Sequence, residues 1–203
     1  MGVYDQYVLP HVIHFLCGLK PNMRQREKVV PQASGRVLEI GAGSGLNLPY
    51  YDAGKVEHLF ALDPSPEAWA IAEPNAGRMK FDVDFIEASA ELIPLERDSV
   101  DSIVVTYSLC SIPDAEQAVQ EMHRVLRNNG QLIFCEHGVA PDEQIRRWQD
   151  RINPLWRPLA GGCNLNRDIP SIISAGGFQI DRIETMYLPG PKPLTFNYWG
   201  VAH

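Results

Sequence analysis

The chain alternates short apolar runs with longer segments whose apolar positions recur at helical spacing. Val37–Ile40, Val56–Leu62, Val83–Ile86, Ser99–Val105 and Gln131–Cys135 read as five strands. Leu46–Tyr51 is expected as a short helix, and Pro66–Glu73 as another with Asp or Ser as its cap. A third helix starts at Pro113-Asp114 and carries Ala115, Ala118, Val119, Met122, Val125 and Leu126 on one face. Arg127 is placed in its last turn, and Asn129-Gly130 closes it. Asn166 or Asp168 caps a helix holding Ile169, Ile172 and Ile173, ended by Gly176-Gly177. Gln179–Leu188 and Leu194–Val201 then read as a final antiparallel pair joined by Pro189–Pro193. Strands alternating with helices predict an α/β, doubly wound, mostly parallel sheet of seven strands with a C-terminal antiparallel hairpin.

Ahead of the first strand, Tyr4, Tyr7, Val8, Val12, Phe15 and Leu19 fall at helical spacing, and Lys20–Lys28 is basic and polar. Residues 1–30 are therefore expected as an N-terminal helical segment, either packed on the sheet or acting as a lid, with Lys20–Lys28 a solvated face. Residues 31–203 form the main domain.

The charge balance narrows the partners. A net charge of −7 argues against broad phosphate-backbone binding, so no nucleic acid is expected. Val8–Leu19 is shorter than the roughly 20 apolar residues of a membrane span and is broken by Pro10, His11 and His14. Membrane contact is expected to be peripheral at most. Cys17, Cys110, Cys135 and Cys163 form no C-x-x-C pair and read as free thiols of a cytoplasmic protein. Neither Cys110 nor Cys163 stands in a recognisable Cys–His arrangement, so both are expected as buried structural thiols. No His, Cys and carboxylate set has metal-ligand spacing, and no metal is expected.

The candidate chemistry lies where the first strand stops. In Val37–Pro49, read as VLEIGAGSGLNLP, Gly41, Gly43 and Gly45 alternate. Glycines there permit unusual torsions and let a ligand approach the main chain. The third glycine comes one residue earlier than in the dinucleotide fingerprint G-x-G-x-x-G. Asp63 closes the second strand, where a carboxylate can accept hydrogen bonds from both hydroxyls of a ribose. Its alternative role is a helix cap. A nicotinamide enzyme and a bare structural turn remain alternatives on these features alone.

The pattern E-x-G-x-G-x-G from Glu39 to Gly45 resembles the first motif of class I S-adenosylmethionine (SAM)-dependent methyltransferases. Glu121–Gly130, read as E-x-x-R-V-L-R-x-x-G, resembles the region after their fourth strand. Gly45-Leu46-Asn47, Leu109-Cys110-Ser111, Glu136-His137, Trp148-Gln149, Pro154-x-Trp156 and Gly162-Cys163-x-Leu165-x-Arg167 resemble the thiol S-methyltransferases of the methyltransferase-like seven type. The likeness runs from about Val37 to the end.

This resemblance implies a Rossmann-like class I methyltransferase fold and SAM as cofactor, with S-adenosylhomocysteine as its product. It implies that Glu39, Gly41, Ala42, Gly43, Gly45, Asn47, Asp63, Pro64, Ser89, Ala90, Glu91 and Thr106 serve the cofactor site. Ser89 stands where many relatives carry an Asp that reaches the adenine amino group, a contact a hydroxyl makes more weakly. The implied activity is methyl transfer to a small apolar acceptor, a thiol first. Quinone C-methylation, phospholipid N-methylation and a non-catalytic SAM-binding domain are the alternatives. If a base assists, it is His137, whose pKa range suits proton acceptance. Trp148, Trp156 and Tyr107 are expected to wall an apolar pocket.

Overall fold

The structure is a computed structural model and describes residues 8–203, so Tyr4 and Tyr7 of the expected N-terminal helix lie outside the described residues. The remainder of that segment forms two helices, α1 (Leu9–Cys17) and α2 (Lys20–Val29), parted at Gly18-Leu19. Leu19 is extended and Pro21 sits in the first turn of α2, a position where its missing N–H has no helical partner to lose.

The described residues then alternate as expected: β1 (Gly35–Ile40), β2 (Val56–Asp63), α3 (Pro66–Ala76), β3 (Asp82–Glu87), β4 (Val100–Thr106), α4 (Ala115–Val125), β5 (Leu126–His137), α5 (Glu143–Leu159), α6 (Ile169–Ala175), β6 (Ile180–Tyr187) and β7 (Phe196–Ala202). They make one seven-stranded sheet in the order β3-β2-β1-β4-β5-β7-β6. The first five strands are parallel, and β7 runs antiparallel to both β5 and β6.

Because side chains alternate along a strand, each face has its own core. Leu38, Ile40, Ile103, Val105, Leu132 and Phe134 pack against Ala118, Val119 and Met122 of α4 and Ile169 and Ile173 of α6. On the opposite face Val37, Leu59, Ala61, Val104 and Ile133 meet Val29 of α2 and Trp69 and Ala72 of α3. Three of the helix starts are capped by side chains: Ser65 accepts from Ala68 N, Asp114 from Gln117 N and Asp168 from Ser171 N.

Helix α4 is shorter than its pattern, and helix α5 had no predicted counterpart. Helix α4 stops at Val125, and Leu126 and Arg127 already belong to β5. The Arg127 guanidinium reaches Asp101 at the start of β4 and the carbonyl of Asp98, which holds it beside the neighbouring strand. Helix α5 spans 17 residues despite Pro154 and Pro158 inside it.

The carboxyl ends of β1 to β5 share one edge of the sheet, and strand order reverses between β1 and β4. Ligands of open α/β sheets bind at this position.

Candidate active site

At the end of β1 the chain turns through Gly41, Gly43 and Gly45, all with positive φ, at 69°, 48° and 72°. Two of them are required by close packing. A Cβ at Gly41 would stand 2.1 Å from Ser108 Oγ, and one at Gly45 would stand 2.7 Å from Ala72 Cβ in α3. Gly43 differs: a Cβ there would meet only Asp63 Oδ2 at 3.7 Å and Gly41 O at 3.9 Å. The ground above it is open, so the turn presents bare backbone beside the Asp63 carboxylate.

Asp63 sits at the end of β2. Its Oδ2 accepts from Gly43 N and its Oδ1 from Ser65 N, both at 2.8 Å. Burial raises its pKa, and these two amides oppose the rise. The cap of α3 is Ser65, so Asp63 is free of that duty. Pro64 beside it is exposed.

Below the glycine turn lies a buried polar network. Asn47 Nδ2 donates to Glu39 Oε1 at 2.9 Å and to Thr106 Oγ1 at 3.0 Å. Tyr51 OH donates to Glu39 Oε2 at 2.8 Å. Arg26 Nη1 donates to Asn47 Oδ1 at 2.8 Å and to Thr106 Oγ1 at 2.5 Å. Glu39, Asn47 and Thr106 are thus engaged with one another and with α2, underneath the turn. Burial pushes the Glu39 carboxyl up to about 7 against the pull of Tyr51, Arg26 and Asn47. Lys20, Arg24 and Lys28 present the expected solvated face, whereas Arg26 is 5% exposed and departs from it. Its guanidinium lies 5.1 Å from the Tyr107 ring.

After β3, Ala90 is buried and Ser89 is exposed. The Ser89 hydroxyl donates to Glu91 Oε2 at 2.5 Å, and Glu91 Oε1 accepts from Asp114 N at 2.7 Å. These two expected cofactor residues therefore pair with each other and tie the β3 loop to the start of α4.

Next to the ends of β4 and β5 opens an apolar cavity of about 280 Å³. Its walls include Val12, Leu16 and Cys17 of α1, together with Tyr107, His137 and Trp156. Tyr107 takes a positive φ of 56° and anchors its hydroxyl on Asn197 Oδ1 at 2.8 Å. A non-glycine residue with that backbone beside a cavity is a sign of a functional constraint. Trp148 does not join the wall: it is 53% exposed, and the guanidinium of Arg151 lies 5.8 Å from its ring. Helix α1 is also pinned to the glycine turn, since His14 Nδ1 lies 2.7 Å from Ser44 Oγ.

Three ties shape the cavity floor. The buried Glu136 carboxylate accepts the amides of Ser108 at 2.7 Å, Leu109 at 3.1 Å and Cys110 at 3.4 Å. Arg167 donates to the carbonyls of Leu109 and Ile112. Buried Gln149 of α5 donates to Gly138 O and Pro193 O and accepts from Ala140 N, joining the exit of β5 to the β6–β7 connection. His137 projects beside two thiols, with Cys163 Sγ 3.2 Å from its Nε2. Burial disfavours the imidazolium, but Cys110 and the Glu136 carboxylate outweigh it, and the pKa lies above the ordinary histidine value. The expectation that Cys110 and Cys163 stand apart from any histidine is therefore corrected. Strand pairing of β4 with β5 and the fold-back after α5 bring the three together.

A family model described as "Methyltransferase domain" matches residues 38–134, the span from β1 through β5. A solved SAM-dependent methyltransferase from Leishmania major overlays with a TM-score of 0.72 at 17% identity, over 98% of this chain and 80% of that one. Residues 38–134 form a methyltransferase domain, and the chain shares the class I methyltransferase fold. Human thiol S-methyltransferase TMT1A is 29% identical over 163 residues, covering 78% of this chain and 66% of that protein. Demethylmenaquinone methyltransferase of Clavibacter sepedonicus is 29% identical over 124 residues, 60% of this chain and 49% of that one. The chain thus spans less than two-thirds of the length of these relatives.

Class I methyltransferases use SAM as cofactor, and the open backbone at Gly43 beside Asp63 fits it. Among the described residues, the buried side-chain polar atoms with no protein partner are Arg26 Nε and Trp156 Nε1. The first belongs to the network under the glycine turn, and the second residue lines the cavity. Sequence reasoning missed Arg26, whose only signal was its place near Val29 and Val30, both buried. It also missed Gln149, which carried no signal beyond standing among the quoted motif residues.

Proposed function

We propose that this protein transfers the methyl group of SAM to a small, mainly apolar thiol. The observation that carries this reading is the adjacency of the two sites along one sheet edge. The glycine turn and Asp63 lie at the ends of β1 and β2, and the apolar cavity with His137 lies at the ends of β4 and β5. The relatedness to TMT1A supports sulfur as the acceptor atom.

When bound, SAM supplies an electrophilic methyl carbon on its sulfonium. The chain's own work is placement and exclusion of water. The bare backbone at Gly43 and the Asp63 carboxylate suit a ribose, and Arg26 Nε is a buried donor for the cofactor's carboxylate. Ala90 and Ser89 serve the adenine end. Tyr107 and Trp156 give the acceptor an apolar wall, with Trp156 Nε1 free to donate to it. His137 accepts the thiol proton. A thiol with a pKa of about 8.5 is already partly ionised at neutral pH, so the assistance required is small. Helix α1, which roofs the cavity and touches the glycine turn through His14, acts as a lid.

A second reading, C-methylation of a quinol, is favoured by the relatedness to demethylmenaquinone methyltransferase and by the aromatic wall. Labelled SAM offered with apolar thiols, quinols, amines and phospholipids decides between them. Labelled thioether supports the proposal, and label on a quinol carbon with no thiol turnover overturns it.

A further inference from the structure

Cys110, His137 and Cys163 place two sulfurs and one imidazole nitrogen within 4.8 Å of one another. Donors around a tetrahedral zinc ion, at about 2.3 Å for sulfur and about 2.0–2.1 Å for nitrogen, lie roughly 3.5–3.8 Å apart. The observed separation of 3.2 Å between Cys163 Sγ and His137 Nε2 is close to that spacing.

The backbone around the two cysteines is also held in place. The Cys110 carbonyl accepts both Asn164 N, at 2.8 Å, and Asn164 Nδ2, at 2.9 Å, so the two cysteine loops are clamped together. The Cys110 amide rests on Glu136, the residue next to His137. Such outer partners fix ligand geometry in metal sites.

We propose that Cys110, His137 and Cys163 form a three-ligand site for zinc whose fourth position opens on the acceptor cavity and takes the acceptor sulfur. All three residues line that cavity, and a catalytic zinc site keeps one position open. The soft donor set favours zinc over magnesium or calcium, which take oxygen ligands. Two thiolates and a neutral imidazole cancel the charge of a dication, so the loaded site is neutral beside apolar walls.

The occupant of the fourth position rests on the thiol reading given above. On binding, the acceptor R–SH releases its proton to solvent and is held as thiolate. Its lone pair forms the new S–C bond as the methyl–sulfonium bond breaks, and that bonding pair stays on the departing sulfur as a thioether. With zinc bound, His137 is a ligand, and the cation takes over its task of keeping the acceptor deprotonated.

The test uses the full chain, reduced and stripped with a chelator, then titrated with Co²⁺. One ion per chain, sulfur-to-cobalt charge-transfer absorption and tetrahedral ligand-field bands are expected, with displacement by Zn²⁺. Phenylmethanethiol should shift the ligand-field bands. Cys163→Ala and the near-isosteric Cys163→Ser should each weaken binding by more than the roughly 10–100-fold that loss of an outer-shell partner costs. Circular dichroism confirms that each variant is folded. Cys135→Ala, which alters a thiol outside the cluster, should bind as the parent does.

Absence of stoichiometric binding, or binding unchanged in both folded Cys163 variants, overturns the site. A cobalt spectrum that thiols leave unmoved overturns the acceptor role of the fourth position. Zinc binding without methylation of any thiol defeats the functional reading and leaves the metal site standing. Thiol turnover without metal binding does the reverse.

Discussion

Asp63 Oδ2 accepts a hydrogen bond from the Gly43 amide at 2.8 Å, which ties the end of β2 to the turn that follows β1. The carboxylate therefore shapes the turn as well as facing the open ground above it. Asp63→Ala should weaken SAM binding by about 1.5–3 kcal/mol for each hydrogen bond lost to the charged group. Titration calorimetry reads this directly, and an unchanged affinity would remove Asp63 from the cofactor site.

The buried Glu39 gives the protein an acid–base signature of its own. Its carboxyl titrates near 7 in the folded chain and in the ordinary carboxylate range when unfolded. As pH rises, the unfolded state releases this proton first, so the folded state loses ground between about pH 4.5 and about 7 and levels off above. The contribution reaches at most about 3 kcal/mol. Urea unfolding at a series of pH values should show this slope in the parent and a flatter one in Glu39→Gln. Parallel slopes in the two would refute it.

In chelator-treated enzyme, His137→Ala should slow thiol methylation by less than the roughly 10²–10⁴-fold usual when a general base is lost. The defect should shrink as pH passes the pKa of the acceptor thiol, because the thiolate then forms unaided. A pH–rate series on both proteins decides this. A defect that stays constant to pH 10 argues against proton acceptance.

If α1 is a lid, SAM or S-adenosylhomocysteine should protect the segment from Leu9 to Leu19 against limited proteolysis. Replacing His14 with Ala removes the contact with Ser44 and should reduce that protection. Cleavage at equal rates with and without ligand is the contrary result.

The sheet was legible because β1, β2, β4 and β5 each contain a short apolar run that ends in Gly, Asp or a polar turn. Ile40-Gly41 and Leu62-Asp63 mark two such ends, and both lie at the candidate site. Helix α5 was not legible, because Pro154 and Pro158 lower local helix propensity. Its place is instead held by tertiary contacts such as those of Gln149. Burial of Arg26 was hidden for a similar reason. A cation among Lys20–Lys28 reads as solvated unless its partners are known, and those partners, Asn47 and Thr106, lie on other elements. The Cys110, His137 and Cys163 cluster has no sequence spacing to betray it, since the turn after β4, the end of β5 and the loop after α5 each contribute one member.

The Gln149 amide has a further consequence. It braces the exit of β5 and the β6–β7 connection, the backbone behind the cavity, without touching the glycine turn or Asp63. Gln149 and Asp63 therefore share no hydrogen-bond partner, and perturbations of these two residues should combine independently. In a double-mutant cycle pairing Asp63→Ala with Gln149→Ala, the coupling energy for SAM binding should fall within about 0.5 kcal/mol of zero. A protein built this way can exchange one methyl acceptor for another by altering α5 and its loop, while the cofactor half is inherited unchanged.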